Sequence, residues 1–171
     1  FYKPIFEKQE TTPAPLPCNI PIAQESNATA QEIAAGVGRI LIPYSNGQGI
    51  CTGTLLNSFK TVSGAPAPYM ISAWHCFGDD VNYDELSVLW DYRSLSGTGD
   101  DVPALYESDY TTGGRLIDKS FALDSALLEL NNPAPIGAYG RCWAGWDSAA
   151  PTLDATTQVI HFPMGADMKT S

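Results

Sequence analysis

Basic residues are scarce: nine Lys and Arg stand against nineteen Asp and Glu, giving a formal net charge of −10. The nine are scattered, and a chain this acidic repels nucleic-acid phosphates and anionic lipid headgroups, so neither is an expected partner. No apolar run reaches the roughly 20 residues that a membrane-spanning helix needs. The first residues also lack the basic-then-apolar plan of a signal peptide, so the sequence reads as a mature protein or an internal fragment. Histidine is rarer still, with two copies. With no C-x-x-C pair and no H-x-x-E-H pattern, zinc-site and metal-hydrolase readings fall away. Asp79, Asp80 and Asp84 lack the spaced oxygen ligands of a calcium loop and are read as a solvated acidic loop. No metal or organic cofactor is expected.

What the chain does have is enough apolar residue for a core. It holds 171 residues, 44% hydrophobic and only 16% charged, as a folded domain does. Four cysteines, Cys18, Cys51, Cys76 and Cys142, are widely spaced in a lysine-poor, acidic sequence. That pattern suggests disulfides and an oxidising, extracellular or periplasmic compartment. The sequon Asn27-Ala28-Thr29 agrees weakly.

Residues 1–17, FYKPIFEKQETTPAPLP, carry four prolines and read as an extended arm, the first part of an N-terminal segment reaching residue 35. A short helix is predicted over 27–35, capped by Asn27 and stopped at Gly36. Beyond it, short β-branched and aromatic runs alternate with Gly, Pro, Asn and Asp clusters, the pattern of an all-β domain. The runs are GRILIPY (38–44), ICTGTLLN (50–57), PYMISAW (68–74), LSVLWDY (86–92), SALLEL (125–130), RCWAGW (141–146) and TQVIHF (157–162). Loops are predicted at 58–67, 93–105 and 131–140. No internal repeat is present.

His75 directly precedes Cys76 at the end of PYMISAW, and Cys51 begins CTGT on an earlier strand. A bridge between the two cysteines would tie those strands together beside the histidine, with chain-entropy stabilisation of about 3 kcal/mol. Asp124 sits just before the apolar run SALLEL, where a carboxylate needs solvent or a specific partner. His75 is the natural partner.

CTGTLLN, YMISAWHC and DSALLEL, in this order, resemble the chymotrypsin-like serine proteases. The likeness is closest to the bacterial lysyl endopeptidase branch, through PCNI (17–20), CTGTLLN (51–57), VLWDY (88–92), DSALLELNN (124–132), WAGWD (143–147) and VIHFP (159–163). Together these motifs span nearly the whole chain. The resemblance implies an antiparallel β-barrel over 36–137 that carries the catalytic residues, and the opening strands of an incomplete second barrel over 138–171. It implies His75 as general base and Asp124 as the group that orients it in a Ser-His-Asp triad. It also implies a Cys51–Cys76 disulfide, and leaves Cys18 and Cys142 to pair with each other or with cysteines outside the chain.

The resemblance places the triad's serine in a Gly-Asp-Ser-Gly-Gly type turn, and no such stretch occurs. Ser63 precedes His75, the wrong order; Ser148 follows WAGW at the opening of the second barrel; Ser125 adjoins Asp124 as an orienting neighbour. None is taken as a nucleophile. The chain is therefore expected to be the front part of a secreted serine endopeptidase, acting on protein or peptide substrates and completed by a C-terminal protease half. The alternative is a non-catalytic homologue or inactive fragment used for binding or structure. His161 is expected to be a half-buried strand residue, and Trp143 and Trp146 to be packing residues. The segment before GVGRILIP speaks against activation by insertion of a new N-terminus.

Overall fold

A computed structural model describes residues 18–62, 64–96, 102 and 109–171. The expected arm at 1–17, Ser63 and much of the 93–105 loop lie outside the described residues.

Helix α1 (Ala28–Ala34) forms where its cap predicts: the Asn27 side chain accepts hydrogen bonds from the backbone N–H groups of Thr29 and Ala30. It is followed by β2 (Val37–Tyr44) and β3 (Gly47–Leu55), an antiparallel hairpin paired from Val37↔Thr54 to Tyr44↔Gly47. A two-residue-stranded hairpin, β4 (Thr61–Val62) and β5 (Ala65–Pro66), interrupts the loop predicted there. Then come β6 (Tyr69–Ser72), β7 (Ser87–Leu89), β8 (Tyr110–Thr112), β9 (Gly114–Ser120) and β10 (Ser125–Leu130).

Seven of these strands share one sheet in the order β8-β7-β2-β3-β6-β10-β9, all neighbours antiparallel. The strands at its two ends, β8 and β9, are separated in sequence by Gly113 alone. One bent strand thus pairs on one side with β7 and on the other with β10, and the sheet curls round into a β-barrel with no free edge at that seam. Gly113 makes the corner. Its φ of +77° lies in the left-handed region, and a Cβ there would meet the Asn131 amide nitrogen at 2.3 Å. Its N–H donates to the Leu86 carbonyl and its own carbonyl accepts from Asn131 N–H, so hydrogen bonding changes sides at this residue.

The barrel interior follows from strand alternation. In β10 every second residue, Ala126, Leu128 and Leu130, is buried. These meet Ile40, Ile42, Leu55, Met70, Phe77, Val88 and Trp90 in one cluster, where the Trp90 indole N–H donates to Thr111 Oγ1 at 3.0 Å.

A second, smaller sheet joins the two ends of the described chain. Its order is β1-β12-β11, from β1 (Ile20–Pro21), β11 (Ile160–His161) and β12 (Lys169–Thr170). It covers its own cluster of Ile22, Ala34, Val37, Phe162 and Met168. Residues 18–35 are therefore folded against the body rather than extended. RCWAGW forms no strand. Ala144 makes an isolated parallel bridge to Leu56, while Arg141, its side chain 1% exposed, turns inward to the carbonyls of Pro135 and Ala35 and to Asp91. Satisfying that buried guanidinium wraps the segment round the barrel instead of extending it along a strand. Among the described residues no helix is long and apolar enough to cross a membrane.

Candidate active site

Past Ser72 the chain leaves β6 and enters a 3-10 turn, Trp74–Cys76. Three contacts and the burial of Phe77 hold this turn. Cys76 is joined to Cys51 of β3 by a disulfide, and the Tyr44 hydroxyl donates to the Cys76 carbonyl. Phe77 is buried, at 1% exposure, and its carbonyl accepts from Lys119 Nζ at 3.3 Å. His75 is consequently carried on an anchored backbone, with its ring on the surface.

Asp124 comes from the other direction, as the last residue of the turn that joins β9 to β10. It adopts a left-handed φ of 46°, which costs an L-residue of the order of 1 kcal/mol and which Asp tolerates better than most. Its N–H donates to the Phe121 carbonyl at 3.2 Å. That conformation brings the carboxylate onto His75 in two ways. Oδ1 accepts from the His75 backbone N–H at 3.0 Å, and the ring Nδ1 lies 2.8 Å from Oδ2 and 3.0 Å from Oδ1.

The Asp124 carboxyl is held below the usual carboxylate range, first by the His75 backbone N–H, then by the His75 ring. An ionised carboxylate only accepts, so Nδ1 must carry the proton. In the neutral ring this leaves the Nε2 lone pair as a base, and Nε2 has no hydrogen bond among the described residues. Both side chains are more than half exposed, 66% for His75 and 52% for Asp124. An ion pair that open to water contributes little by itself. The backbone bond and the pinned turn set the geometry.

The remaining predicted residues distribute as follows. Cys18 and Cys142 are both free, so they do not bridge each other. His161 is a half-buried strand residue on β11; its Nε2 donates to Asn19 Oδ1 at 3.0 Å, and burial lowers its pKa. Trp143 packs against the barrel core, whereas Trp146 is 71% exposed and does not pack. Asp80 accepts from Ser45 and Asp79 pairs with Lys119, so the acidic loop is engaged in separate surface contacts. Among the described residues the one close group of metal-ligating types is Cys51, His75 and Cys76, and its two sulfurs are consumed by the disulfide. A cavity of about 520 Å³ lies beside α1, lined by Glu32, Tyr139, Arg141 and Trp143 among others, and neither His75 nor Asp124 borders it.

Two supports escaped the sequence reading. Tyr44 and Lys119 both bind carbonyls next to His75 from positions 32 and 42 residues away from their partners. Nothing local in the sequence signals either contact.

Fold and site together define an all-β barrel protein that presents a disulfide-anchored histidine against an aspartate on an open face. A family model described as "Lysyl endopeptidase, C-terminal domain" matches residues 16–171, and the chain belongs to that family. It is also 29% identical over 154 residues to a protein named lysyl endopeptidase from Pseudomonas aeruginosa. The match covers 87% of this chain and 32% of the relative, so the chain spans about a third of the length of the curated relative it matches.

Proposed function

We propose that this chain is the histidine- and aspartate-bearing part of a secreted, chymotrypsin-like serine endopeptidase. The observation that carries the reading is the 2.8 Å contact between His75 Nδ1 and Asp124 Oδ2, with the other ring nitrogen turned to an open surface. In this role Nε2 takes the proton of a serine hydroxyl as that oxygen attacks the peptide carbonyl. The same nitrogen then returns the proton to the departing amine, leaving an acyl-enzyme for water to hydrolyse. Asp124 keeps the ring in the Nδ1–H tautomer and stabilises the imidazolium formed in between.

The serine, the oxyanion-binding N–H groups and the pocket that selects substrate are supplied by sequence other than residues 1–171. The relative's name points to lysyl peptide bonds as the substrate class. Membership of an endopeptidase family and the Cys51–Cys76 disulfide support an extracellular or periplasmic setting.

The test uses the full-length protein that contains this chain. A fluorophosphonate probe should label one serine, and His75→Ala should slow labelling by about 10²- to 10⁴-fold with the fold intact. Labelling at the wild-type rate in the His75→Ala protein would remove the histidine from the mechanism. A full-length protein that takes up no probe at all would favour a non-catalytic homologue.

A further inference from the structure

The pairing of β10 with β6, Ala126 opposite Ser72, carries the four-residue turn that holds Asp124 up to the histidine turn but does not bury it. The turn begins after Ser120, which pairs with Ser125 across the β9–β10 hairpin, and Phe121, Ala122, Leu123 and Asp124 are all exposed. Burial does not fix such a tip. The sequence separation between His75 and Asp124 is 49 residues, so chain connectivity does not fix it either.

Besides the histidine–aspartate bonds and a backbone N–H of Trp74 directed at the Asp124 carboxylate, a ring contact reaches from the tip to the histidine turn. The rings of Trp74 and Phe121 meet edge to face, with centroids 4.8 Å apart and planes at 80°. Trp74 immediately precedes His75. Phe121 provides the carbonyl that accepts from Asp124 N–H and so closes the turn in which Asp124 takes its left-handed conformation. Phe121 is 77% exposed, so its ring contact with Trp74 is made at the surface. Lys119 gives a second tie at the base of the hairpin, through longer contacts of 3.3 and 3.4 Å to the Phe77 carbonyl and Asp79. That tie lies below the tip and does not touch residues 121–124.

We propose that Trp74 and Phe121 form an aromatic brace that positions the Asp124 carboxylate on His75. Both are positioning residues. Their bearing on catalysis rests on the function proposed above, whereas the brace itself is a statement about the histidine–aspartate contact and is tested on that contact.

The experiment is hydrogen exchange and proton NMR on the full-length protein that contains this chain. Two signals report the contact: exchange of the His75 backbone amide, whose acceptor is Asp124 Oδ1, and the downfield resonance of the His75 Nδ1 proton. Asp124→Ala defines complete loss. Phe121→Ala removes a ring that is mostly in solvent, so the barrel should stay folded. The expected result is His75 amide exchange about two- to tenfold faster than wild type, as an aromatic pair of ordinary strength implies. The Nδ1 proton signal should broaden with it, and the amides of Ile40 and Val88 should be unaffected. Phe121→Tyr, which keeps the ring, should restore both signals.

Wild-type exchange in Phe121→Ala would overturn the brace. So would a Phe121→Tyr protein as fast as the alanine variant, or equal acceleration at Ile40 and Val88, which would mean general destabilisation. A failure of serine labelling leaves these measurements standing, and a failure here leaves the labelling result standing.

Discussion

At the scale of single residues, the Asp124 carboxyl is fixed by a backbone donor before it is fixed by a ring. The His75 amide is the leading reason for its lowered pKa and the imidazole the second. His75→Ala keeps the amide and deletes the ring. In that variant the Asp124 ¹³Cγ signal should titrate closer to the ordinary value of about 3.9 than in wild type, yet still below it. The sign for stability follows: a carboxyl depressed in the folded state stabilises the fold above its unfolded pKa. That stability disappears as the pH falls through the folded value. Asp124→Asn should therefore flatten the acid limb of the stability curve below about pH 4, measured by urea unfolding at stepped pH. An Asp124 signal that titrates at the ordinary value in the wild-type protein would contradict the bonding described. His75 and Asp124 were legible in the sequence because each stands at a fixed place beside a motif, one before a cysteine and one before an alternating apolar run. Tyr44, Lys119 and Phe121 were not, because their roles depend on which residue the barrel brings opposite them.

At the scale of elements, the corner at Gly113 decides whether the sheet can close. Gly113→Ala forces a methyl group into the left-handed region and against Asn131 and the Asp84 carbonyl, the latter 3.3 Å from the new Cβ. Strain of this kind costs about 1–3 kcal/mol. The melting midpoint should drop by several degrees, roughly 4–8 °C per kcal/mol in small domains and less in larger ones. Calorimetry of the purified variant checks this, and an unchanged midpoint would mean that the corner relaxes freely. The same element shows where sequence reading stops. SALLEL reads as a strand because alternate positions are apolar, and β10 spans those residues. The closing strand, YTTGGRLIDKS, carries two adjacent glycines and three charged side chains, which locally signal a turn and a solvated segment. It is a strand because it is paired on both sides, by β7 through β8 and by β10 through β9. RCWAGW errs the other way. Its aromatics suit a strand, but the buried bonds of Arg141 draw the chain elsewhere.

At the scale of the whole molecule, two apolar clusters share one chain: the barrel core, and the smaller group under the three-stranded sheet. The smaller group draws Ile22 from the N-terminal side, Phe162 and Met168 from the C-terminal side, and Ala34 and Val37 from between. It is linked to the barrel body through the Met168 N–H bond to the Tyr92 carbonyl at 3.0 Å, and Ile22 N–H donates to the Met168 carbonyl at 3.1 Å. Ile22 is fully buried, so truncating it leaves a cavity in a cluster with few neighbours able to collapse into it. Ile→Ala in such a place costs about 2–5 kcal/mol. If the small sheet can open while the barrel stays closed, that loss falls on the local opening equilibrium. The amides of Ile160, Lys169 and Thr170 should then exchange at least about 30-fold faster in Ile22→Ala, the factor that 2 kcal/mol gives. Amides of β3 and β10 should keep nearly their wild-type rates. Equal acceleration in β3 and β10 would show instead that both clusters open as one unit, and that residues 18–24 are as integral to the barrel as its own strands.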